Sequence, residues 1–191
     1  MVLGAIVYLT GLFILYRRSG QMSQFVWGAS GFAFISILIV VELNVQIALA
    51  ALEARQIQGL LGLVGHSMDV VNYNTLLVPD GAGWVSMTIG AESSTVIELS
   101  VFLGAMLFYP RLGKRERIIY AIIGIAGTYL LNLARLVLII AFVTLWGREA
   151  FPIAHSVVGR LFYFAGIVFL YWSLLTKPTL KLIRDRINAN A

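Results

Sequence analysis

Apolar residues fall into five long blocks separated by short polar breaks: Val2–Tyr16, Phe25 to about Leu49, Thr95–Tyr109, Ile118–Trp146 and Ser156–Leu175. Each block is apolar throughout rather than striped, and a helix of about 20 such residues crosses the ~30 Å hydrocarbon core of a bilayer. Aromatic residues mark the block ends, among them Tyr16, Trp27, Tyr109, Trp146, Tyr171 and Trp172, where rings settle at the membrane–water interface. The pattern predicts an all-α, polytopic membrane helical bundle of about five transmembrane helices. No repeat or linker divides the chain, so residues 1–191 are expected to form a single integral membrane domain.

One long connection, about Leu52 to Ser94, lies between the second and third blocks. From Leu52 to about Val64, the residues Leu60, Leu61 and Val64 fall near helical spacing, with Glu53 and Arg55 left for the wet face. This predicts an interfacial helix. Further on, a β-tolerant run from Val70 to Val78 meets the breakers Pro79-Asp80-Gly81-Ala82-Gly83, and a second such run follows from Trp84 to Ile89. Two β-prone runs joined by a Pro-Asp-Gly turn predict a hairpin. It would serve as a lid or substrate clamp, or as a solvated connector.

Composition agrees with the pattern. The chain is 60% hydrophobic and 12% charged, roughly half the charge of a soluble domain, which excludes a water-soluble globule and a disordered chain. The 14 basic residues matter for where they sit. Ten of them, Arg17, Arg18, Arg111, Lys114, Arg115, Arg117, Lys177, Lys181, Arg184 and Arg186, fall on one side of a five-span arrangement. Cytoplasmic loops retain positive residues, so that side is expected to be cytoplasmic, with the N-terminus outside and the C-terminal tail inside. The first block lacks the basic start and small-residue cleavage site of a secretory signal and reads as a retained span. Cys is absent, which excludes disulfides and thiolate chemistry. His66 and His155 are the only histidines, so neither a metal site nor a cofactor is expected. The basic residues track the membrane edges, which suits contact with lipids and offers no surface for nucleic acid.

Ionisable and amide groups inside a membrane are costly and few. Here they are Glu42, Asn44, Gln46, Glu98, Asn132, Arg135, His155 and Arg160. Arg135 lies 17 residues into the fourth block, a rise of about 25 Å at 1.5 Å per residue, which puts it near the outer boundary. Ser93 and Ser94 open the third block at that depth, and His155 opens the fifth. Asn132 shares a helical face with Arg135 and can help fix it. Gly159, one turn from His155, lets a neighbouring helix or a substrate backbone come close. Each residue also has an ordinary role. Ser93-Ser94-Thr95 with Glu98 fits a helix capping box, Arg135 can pair with Glu42 or Glu98, and Arg148 and Arg160 can anchor to lipid phosphates.

A hydroxyl, an imidazole and a fixed cation at one depth meet the needs of acyl transfer: attack on a carbonyl, removal of the nucleophile's proton and stabilisation of the oxyanion. A thiol would serve better at neutral pH than a serine hydroxyl. The order of a small-residue segment opening an external helix, then Asn132-x-x-Arg135, then His155 with Gly159, resembles the exosortase/archaeosortase family over residues 90–175, with a short overall length like its Gram-positive branch. The resemblance implies a membrane-embedded cysteine-type transpeptidase or peptidase that processes the C-terminal sorting-signal helix of exported proteins. Carried over by motif, Arg135 is the transition-state stabiliser and His155 the base or proton shuttle. Ser93, with Ser94 as runner-up, stands where the family has Cys. Such a chain is a natural serine variant, a form that has lost catalysis or an engineered trap, and is expected to be weak or inactive. Two other readings stand beside it: a non-enzymatic membrane component of a polysaccharide or lipid export system, and an intramembrane serine hydrolase using the same trio.

Overall fold

The computed structural model describes residues 20–63, 65, 68–79, 83–90, 93, 95–110 and 112–178, with isolated positions towards both ends. Helix α1 (Gln21–Glu42) is followed by α2 (Val45–Leu63). A three-stranded antiparallel sheet comes next, β1 (Asp69–Val71), β2 (Thr75–Pro79) and β3 (Trp84–Thr88). Then come α3 (Val96–Phe108), α4 (Lys114–Trp146) and α5 (Arg148–Thr176), the last containing two π-helical stretches.

This is a multi-pass membrane protein, but the expected five spans are not all found. Among the described residues three helices are long and apolar enough to cross a membrane: Gln24–Glu42, Lys114–Trp146 and Arg148–Thr176. The first block, Val2–Tyr16, lies largely outside the described residues. The second breaks where its hydropathy does not. Helix α1 ends at Glu42, Asn44 takes a left-handed φ of 54°, and Val45 begins a new helix. Asn tolerates that conformation better than the apolar residues around it. The third block forms α3, whose 13 residues rise only about 20 Å, short of the ~30 Å core.

Small residues let the helices approach closely, as is common within membranes. Helices α1 and α3 run antiparallel, with Phe25 edge-on to Tyr109 at 5.5 Å. A Cβ on Gly104 would stand 2.6 Å from the Ala29 carbonyl oxygen. The Phe102 ring of α3 covers Gly124 of α4, and Gly166 of α5 faces Leu131. Gly147, with φ of 78°, turns the chain from α4 into antiparallel α5. At Gly104 the obstacle is backbone and cannot swing aside. Gly104→Val is therefore expected to cost about 1–3 kcal/mol, read as a lowered unfolding temperature in detergent. Gly59→Ala, where the added Cβ meets nothing within 4 Å, is the control, and equal stability of the two variants would contradict this packing.

Helix α4 is 33 residues long, about 50 Å, and outruns the core. Its final turns carry a cap. Leu136, Ile139, Ile140 and Val143 pack against Ala50, Ala54 and Ile57 of α2 and against Leu76, Val78 and Met87 of the sheet. A second cluster, Phe102, Met106, Leu112 and Leu174, closes the opposite end. The hairpin around Pro79–Gly83 forms as expected, with Leu76 opposite Met87 and Val78 opposite Val85. The run Val70–Val78 is not one strand, however. Asn72 and Tyr73 take left-handed φ values of 52° and 68°, and the turn they make splits it into β1 and β2.

The face expected for α2 is only partly the buried one: Leu61 packs against the core, Leu60 does not, and Val64 lies outside the described residues. Ala50, Glu53, Ala54 and Ile57 are buried, whereas Leu60 and Leu63 are 48% and 87% exposed. Arg55 is on the wet face, but Glu53 is inside. The sheet and α4 need a flat partner, and the alanine stripe supplies it.

Candidate functional site

Where the cap meets the bundle, polar groups from four segments converge. Ser93 sits in a turn, its N–H bonded to Gly90 O at 3.0 Å. Thr95 occupies the N-cap position of α3 with φ of 57°, and its side chain does not cap the helix. A β-branched residue there is strained by about 1–3 kcal/mol and persists only where its surroundings impose it. Here the Thr95 hydroxyl donates instead to Glu53 Oε1 at 3.4 Å. The expected capping box is thus replaced by a tie between α3 and α2, and Glu98 lines a cavity.

Asn132 is buried on α4, and its Nδ2 donates to Ser93 O at 2.6 Å and to Glu53 Oε1 at 3.1 Å. Its expected role beside Arg135 is therefore corrected: the bonds it makes position the Ser93 backbone. The carboxylate receiving these bonds, fully buried Glu53, is a site residue that the sequence reading assigned to water. Apolar or small residues at its helical neighbours, Ala50, Ala54 and Ile57, were the signal for its burial. Its other oxygen, Oε2, has no partner. Desolvation raises its pKa to about 7, against the opposing effects of the Asn132 and Thr95 hydrogen bonds and the Arg135 charge, while Glu98 adds to the rise.

Above this network lies a cavity of about 250 Å³ lined by Ser93, Glu98, Arg135, His155, Arg160 and Tyr163. Three candidates far apart in sequence, Ser93, Arg135 and His155, therefore share one space, with Glu98 in its wall. Arg135 is buried, and its guanidinium carbon stands 5.6 Å from the centroid of the Tyr163 ring, a cation–π distance. Glu98 lies in the same wall, whereas Glu42 is exposed. The His155 ring stacks on Phe151 at 5.5 Å. It belongs to the π-helical stretch Ala154–Val158, a feature that recurs at functional sites. Gly159 seats α5 on α4: a Cβ there would stand 2.9 Å from Ile139 Cδ1, so the neighbour it admits is a helix. Ser94 lies outside the described residues. Among the described residues no three His, Cys, Asp or Glu side chains group as metal ligands.

Fold and site together define a multi-pass membrane protein with a polar, capped cavity at one end of its bundle. No protein-family model, curated protein or solved structure matches the chain.

Proposed function

We propose that this chain is an exosortase-like membrane peptidase or transpeptidase that receives the C-terminal sorting-signal helix of exported proteins at the outer membrane face. The observation that carries this reading is the shared cavity of Ser93, Arg135 and His155. Its end of the bundle is opposite the basic residues Lys114, Arg117 and Lys177, which favours the outer side. In the proposed reaction the group at position 93 attacks the scissile carbonyl and His155 takes its proton. Arg135 stabilises the oxyanion, and His155 returns the proton to the departing amine. Water or an acceptor amine then releases the acyl group from the enzyme. Asn132 holds the Ser93 carbonyl and so fixes the attacking residue.

With serine at position 93 the nucleophile must lose its proton during attack, whereas a thiolate is present beforehand. The chain is therefore expected to bind a sorting-signal helix and to cleave it slowly or not at all, and Ser93→Cys is expected to gain processing of a tagged sorting-signal protein in cells. Efficient processing by the unsubstituted chain, unaffected by Ser93→Ala, would contradict this assignment. A second reading, a non-enzymatic component of polysaccharide or lipid export, is favoured by one observation: Glu98 shares the cavity with Arg135, as a structural charge pair would. Under that reading Ser93→Cys gains nothing.

A further inference from the structure

The end of the bundle opposite the polar cavity holds a second, larger one. It measures about 490 Å³ and is lined by Tyr120 of α4, Trp172 of α5 and, just beyond α5, Lys177, Pro178, Leu180 and Arg184. Tyr120 comes 15 residues before Arg135 on α4, about 22 Å of helical rise, so the two cavities are separate.

Local geometry brings these side chains together. Lys177, Leu180 and Arg184 are helical and stand at i, i+3 and i+7, the spacing of one helical face. Trp172 and Lys177 are five residues apart, about 140° around a regular α-helix. The stretch Trp172–Thr176 is wound as a π-helix, however, and its wider turn narrows that angle. Tyr120 packs against the buried cluster that includes Leu174, which sets it beside α5. Two cations and two amphipathic rings thus surround one space whose described lining contains no acidic residue.

Lys177, Arg184 and Trp172 are exposed, so a ligand at the membrane edge can reach them. Trp and Tyr rings settle at the level of lipid headgroups, and basic pockets between membrane helices hold anionic headgroups. We infer that this cavity binds an anionic phospholipid with two phosphodiesters joined by a glycerol bridge, a cardiolipin-type headgroup. Lys177 and Arg184 each meet one phosphate, and Trp172 and Tyr120 flank the glycerol and ester region.

Charge and spacing select two phosphates over one. At helical rise the seven residues from Lys177 to Arg184 span about 10 Å, a gap that two bridged phosphates fill and a single one leaves open at one end. Two singly charged phosphodiesters also match two cations. The cavity falls within the roughly 300–1,000 Å³ usual for ligand pockets, far more than a lone phosphate fills. A lipid held there ties α4 to the end of α5, and a ligand that binds only the folded chain stabilises it. The site stands apart from the peptidase reading and asks nothing of Ser93, Arg135 or His155.

Its test uses the full-length chain in detergent. By native mass spectrometry the chain is expected to retain one tetraoleoyl cardiolipin, with an apparent Kd at least tenfold below that of dioleoyl phosphatidylglycerol. Lys177→Gln together with Arg184→Gln is expected to weaken cardiolipin binding tenfold or more, whereas Lys177→Arg with Arg184→Lys keeps both charges and most of the affinity. Lys114→Gln removes a charge from the same end but outside the cavity and is expected to leave the affinity unchanged. Cardiolipin is also expected to raise the unfolding temperature of the unsubstituted chain and not that of the double glutamine variant, whose unfolding temperature without lipid reports whether it is folded. Equal affinity for the two lipids would overturn the assignment to two phosphates, and this comparison needs no variant. Affinity unchanged by the double glutamine substitution, or lost equally in Lys114→Gln, would overturn the site. Glycerol 1,3-bisphosphate binding as tightly as cardiolipin would overturn the assignment to lipid and give the site to a soluble phosphate ligand.

Discussion

Arg135→Ala, introduced together with Ser93→Cys, is expected to lower processing of a sorting-signal protein by a factor of about 10²–10³, the usual loss when one oxyanion donor is removed. Under the proposed reading, capture of the sorting-signal helix should change far less, because a membrane helix would be held along its length and the guanidinium would meet only its end. Arg135 is buried and borders a cavity it shares with Ser93 and His155, so its charge acts in a poorly screened space. Arg135→Lys keeps the charge but loses the planar fork, and its activity should fall between the two. Crosslinking of a tagged substrate separates capture from cleavage. Undiminished processing by the Arg135→Ala chain would remove this residue from the chemistry. Loss of capture and processing in equal measure would make it structural.

The second large effect concerns Glu53 and pH. Its pKa is about 7 in the folded chain against an ordinary value of 4.5. Between those values the unfolded carboxylate is ionised while the folded one still holds its proton, so the native state binds more protons. Stability contributed by this group is thus fully present below pH 4.5, declines as pH rises and is lost once pH passes about 7. At about 1.4 kcal/mol per unit the difference is on the order of 3 kcal/mol. Unfolding temperature in detergent should fall across that window, and Glu53→Gln should flatten the dependence, since an amide keeps an oxygen to accept from Asn132 and Thr95 without titrating. An undiminished slope in Glu53→Gln would show that another group governs it.

What the sequence disclosed follows from which interactions leave a mark in one dimension. Helices α4 and α5 were legible because an unbroken apolar run needs no partner to declare itself. The hairpin was legible through Pro79–Gly83, but the turn at Asn72-Tyr73 was not, because the left-handed φ of the exposed Tyr73 goes with the pairing of β1 on β2 and not with its own preference. The break at Asn44 disappears in any hydropathy average, being one residue of backbone reversal inside an apolar run. The shared depth of Ser93, Arg135 and His155 came from counting helical rise. What counting cannot give is the direction a side chain points. Asn132 was matched to its helical neighbour Arg135, yet its bonds go to Ser93 and Glu53, 39 and 79 residues away. Glu53 was given to water because a carboxylate ordinarily belongs there, and only the packing of α2 on α4 and the sheet shows it inside. Arg160 was given to lipid phosphates because an arginine at a membrane edge ordinarily belongs there, and the fold puts it in the lining of the same cavity as His155.

Whether Arg135 and His155 act on the group at position 93 is read from the acidity of a thiol placed there. The chain has no Cys, so Ser93→Cys introduces a single reporter, and its alkylation rate against pH gives its pKa without any substrate. The expected inflection lies clearly below the ordinary value of about 8.5 and moves back towards it in Arg135→Gln, because a neighbouring cation favours the thiolate. An inflection at or above about 8.5 that Arg135→Gln leaves in place would contradict it.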